Sequence, residues 1–165
     1  MLLGLIAVLA VALVWVVSGT LEPRIVHAGD TAPNFSITTD DGRVVTRSNF
    51  VGKLLLLNFW ATWCPPCIEE IPTLDAFQRL MGPLGVVVLG VSVDRNERLY
   101  KQFLQRTRVT FRTARDPEEN ISARYGTFQF PETYIIDRSG KVVQKVISNQ
   151  NWMDPEFLAR VKAML

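Results

Sequence analysis

Cys64 and Cys67 are the only two cysteines in the 165 residues, and two prolines separate them. A pair at this spacing can close and reopen as a disulfide, supply half of a metal site, or form an inert crosslink. Thiol exchange needs the thiolate, and a thiol of ordinary pKa near 8.5 is only about 3% ionised at pH 7. A helix N-terminus corrects this, because its unpaired N–H groups and the positive end of its dipole favour an anion. A cysteine at that end is activated, and one a turn later can reach it. Prolines cost little there, since first-turn N–H groups have no helical partner.

A zinc or haem site would need more ligands. There is no third cysteine, and the single histidine, His27, lies far from the pair. No metal and no cofactor are therefore expected. A structural disulfide framework would need more cysteines at wider spacing. The 18 basic and 16 acidic residues leave a formal charge of +2, which provides no dense basic surface for nucleic acid.

The elements around the pair must place it at such a helix end. Lys53 to Trp60 contains Leu54-Leu55-Leu56-Leu57 without alternation, as expected of a central strand buried on both faces. The spacing then predicts a helix over Ile68 to Met81, stopped by Gly82-Pro83 and kinked by Pro72. Ahead of the strand, Phe35 to Thr38 and Arg43 to Thr46 flank the turn Asp40-Asp41-Gly42, which predicts a hairpin. Further on, Val86 to Val93 reads as a second buried strand, Asn96 to Arg106 as a helix, and Phe111 to Ala114 as a short strand. Asp116 is placed to cap a following helix, with Pro117 and Glu118 in its first turn. Strands Thr133 to Ile136 and Lys141 to Ile147 and a last helix from Asp154-Pro155-Glu156 complete the series. Strands alternating with helices, then a terminal hairpin, predict a mixed α/β sheet covered on both faces.

Residues 1–21 carry no charge and would span about 31 Å as a helix, long enough to cross a bilayer. They read as a retained membrane anchor. The alternative is a cleaved secretory signal, for which Val17-Ser18-Gly19 offers small residues. Either way the remainder is exported, with residues 22–30 as a tether and residues 31–165 as the domain.

Three stretches together resemble the thioredoxin-like proteins of the ResA/TlpA type: Ala32-Pro33-Asn34-Phe35, Leu57-Asn58-Phe59-Trp60-Ala61-Thr62-Trp63-Cys64-Pro65-Pro66-Cys67, and Phe130-Pro131 ahead of Thr133. The resemblance covers residues 31–165. It implies a thioredoxin-like fold with an N-terminal β-hairpin, a helix and strand inserted between Asp94 and Arg115, and one preceding transmembrane helix. Cys64 would be the attacking thiol and Cys67 the resolving one. The implied activity is reduction of disulfides in exported proteins such as apocytochrome c, on the extracytoplasmic (periplasmic) side of a bacterial cytoplasmic membrane, with a membrane electron donor restoring the dithiol. Trp63, Pro65, Pro66, Phe130 and Pro131 would contact substrate, and the bond before Pro131 would be cis, freeing the Phe130 backbone to pair with an extended chain. Peroxide-reducing members of this fold would carry a Thr and a Pro where Ala61 and Leu57 stand, so that activity is not expected.

Plain thioredoxin has a buried carboxylate at the position of Asn58. Asn58 cannot take a proton, so another carboxylate must serve Cys67. Glu70, three residues on and about 60° around the helix, is placed for it, with a raised pKa expected from burial. The alternative is a glutamate that only complements the helix dipole; Glu69 points further round, toward solvent. Cys64 is expected to be partly exposed and Cys67 buried. With prolines at both intervening positions, the reduced form loses two N–H donors, which predicts a reducing couple. Two other functions compete: a non-catalytic binding module or chaperone for exported apoproteins, and a surface protein using Arg95, Arg98, Lys101, Arg106, Arg108, Arg112 and Arg115 against an anionic partner.

Overall fold

The computed structural model describes residues 25–165 together with residues 4, 6, 9–13 and 15. The segment read as a membrane span lies largely outside the described residues. Among those that are described, no helix is long and apolar enough to cross a membrane.

The hairpin forms from β1 (Ser36–Thr38) and β2 (Val44–Thr46), antiparallel in register Ile37↔Val45. A 3-10 turn at Arg47–Phe50 leads into β3 (Leu54–Trp60), and α1 (Pro65–Met81) follows the cysteine turn. After β4 (Val86–Ser92) come α2 (Glu97–Thr107) and β5 (Arg112–Arg115), the expected inserted helix and strand. The chain ends through α3 (Asn120–Tyr125), β6 (Glu132–Ile136), β7 (Val142–Ile147) and α4 (Pro155–Ala163). The main sheet has the order β5-β4-β3-β6-β7. β4 runs parallel to both β3 and β5, while β6 is antiparallel to β3 and to β7.

All seven β3 residues are buried, and the reason is the two-sided covering that the unbroken leucine run predicts. Leu54, Leu56 and Trp60 pack with Ile71, Leu74 and Phe77 of α1, Phe103 of α2 and Phe157 of α4. Leu55, Leu57 and Phe59 face the other way, toward Phe35 and Val45 of the hairpin and Ile121 and Tyr125 of α3. Each of these fully buried leucines contributes about 1.5–3 kcal/mol of transfer free energy. Asn58 lies on the α1 face among apolar neighbours, so its amide must find a partner there.

Three boundaries differ from the sequence expectation by more than one residue. The cysteine helix starts at Pro65 rather than Ile68, because Pro at the first positions is preorganised for a helical turn; it then runs unbroken through Pro72. The helix expected directly after Asp116 starts only at Asn120, since Glu119 takes a left-handed φ of 57° at the cap. Asp116 still serves that helix, accepting the N–H groups of Asn120 and Ile121 at 3.1 and 2.7 Å. Residues 26–30, read as tether, are docked on the domain: Val26 is buried and donates its N–H to the Tyr125 carbonyl, and Gly29 donates to Val142. An apolar side chain with a place in the second core cluster explains this.

Candidate active site

β3 ends at Trp60, and the turn Ala61-Thr62-Trp63 delivers Cys64 to the N-cap of α1. Cys64 and Cys67 are joined as a disulfide with Cα atoms 5.3 Å apart. The Cys64 sulfur accepts the Cys67 backbone N–H at 3.3 Å, one of the donors a helix start leaves unpaired. Pro65 is exposed and Pro66 half-buried in the first turn, so neither adds a donor. Cys67 is fully buried. Cys64, expected to be partly exposed, is only 5% exposed, because in the disulfide state it packs in the same apolar cluster as Trp60, Ala61 and Ile71.

Trp63 stands out from this turn, 63% exposed, and its ring meets that of Phe130 edge to face with centroids 6.0 Å apart. The Phe130–Pro131 bond is cis, as the resemblance implied, and Pro131 is buried at the start of β6. The structure therefore brings Trp63, the disulfide and the Phe130–Pro131 turn to one end of the sheet.

Glu70 is 2% exposed. Its Oε1 accepts Asn58 Nδ2 at 2.8 Å, and its Oε2 accepts Trp152 Nε1 at 3.1 Å and the Gln150 N–H at 3.2 Å. Burial pushes its carboxyl up to about 7, although the hydrogen bonds from Asn58, Trp152 and Gln150 each oppose the shift. A carboxyl of that pKa can hold or release a proton near neutrality. In the disulfide state its hydrogen bonds go to these three donors. Asn58 also donates to Thr133 Oγ1 at 2.9 Å, which couples β3, α1 and β6 through one amide. Glu69 is exposed and receives Asn149 Nδ2 at 3.0 Å.

Sequence reasoning missed Asp94, Gln150 and Trp152. Asp94 is 2% exposed; its Oδ2 accepts the Thr62 N–H at 2.9 Å and Ser92 Oγ at 2.6 Å, and its Oδ1 accepts Thr62 Oγ1 at 2.6 Å. It thus holds the turn that presents Cys64. The signal was available: Asp94 follows a strand parallel to the one before the cysteines, and the carboxyl ends of neighbouring parallel strands open on the same side. Gln150 and Trp152 had no signal, being about 80 residues away in a loop. Among the described residues no cluster of His, Cys, Asp and Glu is disposed to hold a metal ion.

Residues 28–145 match the AhpC/TSA family. The chain belongs to that family. Within it, the chain is 33% identical over 122 residues to the thiol-disulfide oxidoreductase ResA of Bacillus thuringiensis strain Al Hakam, covering 74% of this chain and 70% of the relative. To the ResA of Geobacillus thermodenitrificans it is 34% identical over 127 residues, 77% and 72% of the two chains. A candidate thiol:disulfide interchange protein DsbE of Chlorobium tepidum superposes with a TM-score of 0.78 at 29% identity, over 84% of this chain and 98% of that one. The thioredoxin-like fold and the activity of a protein-disulfide oxidoreductase follow, and an AhpC/TSA member with Cys64 and Cys67 bonded to each other has the redox couple such an activity uses.

Proposed function

We propose that this AhpC/TSA protein is a reductase of disulfides in exported proteins, held at the extracytoplasmic face of a bacterial cytoplasmic membrane by residues 1–21. One observation carries the dithiol chemistry: the Cys64 sulfur caps α1 and receives the Cys67 N–H, while Cys67 is fully buried in the same turn that places Glu70. In the dithiol form, a Cys64 thiolate attacks one sulfur of the substrate disulfide. That S–S bond breaks, a Cys64–substrate disulfide forms, and one substrate sulfur leaves as thiolate to be protonated. Cys67 passes its proton to Glu70, and its thiolate attacks the Cys64 sulfur. The second substrate thiol departs, the Cys64–Cys67 disulfide is restored, and two electrons have moved to the substrate.

Trp63, Pro65, Pro66 and Phe130 are the substrate-contacting surface in this scheme, and Pro131, itself buried, acts through the cis bond that sets the Phe130 backbone. The family resemblance supports exported proteins as the substrate class, with the haem-binding cysteine pair of an apocytochrome c as one member. In an oxidising compartment a membrane electron donor must return the disulfide to the dithiol, since free glutathione would not. The test is the reduced protein mixed with a peptide carrying a Cys-X-X-Cys-His disulfide, with peptide thiols followed over time. Stoichiometric appearance of two thiols per protein is expected; a protein that only oxidises peptide dithiols overturns the reading.

A further inference from the structure

Trp63 forms one wall of a cleft of about 590 Å3 whose other wall is the inserted helix α2. Val93 and Phe103, both buried, make its floor, and Leu99 faces Trp63 from α2 with 48% of its surface exposed. Two large apolar side chains left in water on either side of an apolar floor favour an apolar occupant. The charges on its rim are Arg95, Arg106 and Glu119, and Arg95 meets Glu119 through an exposed contact of 3.6 Å. Arg106, on α2 and lining the cleft, has no ion pair among the described residues. Asp94, the acidic group beneath, turns its carboxylate inward to Thr62 and Ser92.

From this geometry we infer that the cleft is a second substrate subsite, which takes the segment flanking the attacked disulfide and selects an apolar side chain next to a carboxylate. The inference rests on the reductase reading. The cleft shares Trp63 with the cysteine turn, so a chain whose disulfide lies at Cys64 continues into it without leaving the surface. Leu99 and Trp63 would cover a leucine- or phenylalanine-sized group, and Arg106 would face the neighbouring Asp or Glu. The helix that belongs to the insertion thereby sets which exported proteins are reduced, while the cysteines set the reaction.

The test uses three disulfide-closed peptides that differ only in the flank, Leu-Glu, Leu-Lys or Ser-Ser, and the small compound bis(2-hydroxyethyl) disulfide, which reads the cysteine pair alone. In single turnovers of the reduced full-length protein with excess peptide, the half-saturating concentration, written KM here, should lie about three- to tenfold lower for the Leu-Glu peptide than for Leu-Lys, with similar limiting rates. Arg106→Glu should reverse that order, and Leu99→Ser should raise KM for both leucine peptides toward that of Ser-Ser. Equal KM values for all three peptides, or an Arg106→Glu protein that keeps the original order, overturn the subsite. A protein that fails on bis(2-hydroxyethyl) disulfide as well removes the reductase reading beneath it. Normal turnover of the small disulfide without flank discrimination removes the subsite alone.

Discussion

Asn58 of the central strand donates its side-chain amide to Glu70 of the cysteine helix at 2.8 Å, inside a core from which water is excluded. Where a plain thioredoxin buries one carboxylate on the strand, this protein keeps a neutral amide there and moves the acid to the helix. The amide nitrogen donates to Oε1 and so favours the carboxylate, as Trp152 and Gln150 do, and it is burial that holds the carboxyl up.

That placement makes stability depend on pH in a defined direction. Glu70 binds its proton more tightly in the folded chain than in the unfolded one, its carboxyl moving from 4.5 to about 7. The native state therefore holds the extra proton between these values. Its contribution should be complete below about pH 4.5, decline as pH rises, and be gone above about pH 7, a loss of about 3 kcal/mol. Chemical denaturation of the wild type and of Glu70→Gln across this range should show the decline only in the wild type; parallel curves would refute it.

The same proton should govern resolution of the mixed disulfide. In Glu70→Gln, attack by Cys64 is expected to continue while release through Cys67 slows by about tenfold or more. Rapid-quench separation of the covalent intermediate measures both steps. A variant with unchanged thiol titration and unchanged reductase rate would remove the role assigned to Glu70.

Replacing Cys67 by Ser should leave a protein that attacks once and remains covalently joined to its substrate. Replacing Cys64 by Ser should leave one that captures almost nothing. Non-reducing electrophoresis with a disulfide substrate reads both, and capture by the Cys64→Ser protein but not by Cys67→Ser would reverse the two roles.

The reduction potential should lie closer to that of thioredoxin, about −270 mV, than to that of strong oxidants near −120 mV, because Pro65 and Pro66 withhold two N–H donors from a Cys64 thiolate. Equilibration with glutathione or dithiothreitol buffers decides this. A potential above about −180 mV contradicts it.

Asp94→Ala should destabilise the protein by about 3 kcal/mol, since it leaves the Thr62 N–H, the Thr62 hydroxyl and the Ser92 hydroxyl without their acceptor. Asp94→Asn, which keeps the shape and part of the acceptor capacity, should lose about half as much. Urea denaturation of the oxidised proteins tests the ranking; a loss below about 1 kcal/mol for the alanine variant would show that the cysteine turn holds itself.

The sequence alone determined the elements whose signals are local. The leucine run, of strand length and without alternation, fits a strand covered on both faces, the cysteine pair falls between that strand and a helical run, and Asp154-Pro155-Glu156 opens a helix by its own chemistry. It also pointed to Glu70, because three residues along a helix is a fixed rotation. Tertiary structure decided the rest, because those outcomes depend on groups far apart in the chain. Glu70 is buried against Trp152 and Gln150, which no helical spacing relates to it, and that burial is what raises its carboxyl. Cys64 lost its expected exposure to packing by its neighbours in the core cluster. Asp94 took hold of the cysteine turn because two parallel strands end side by side, and the cleft beside Trp63 exists only where α2 folds back across that same end.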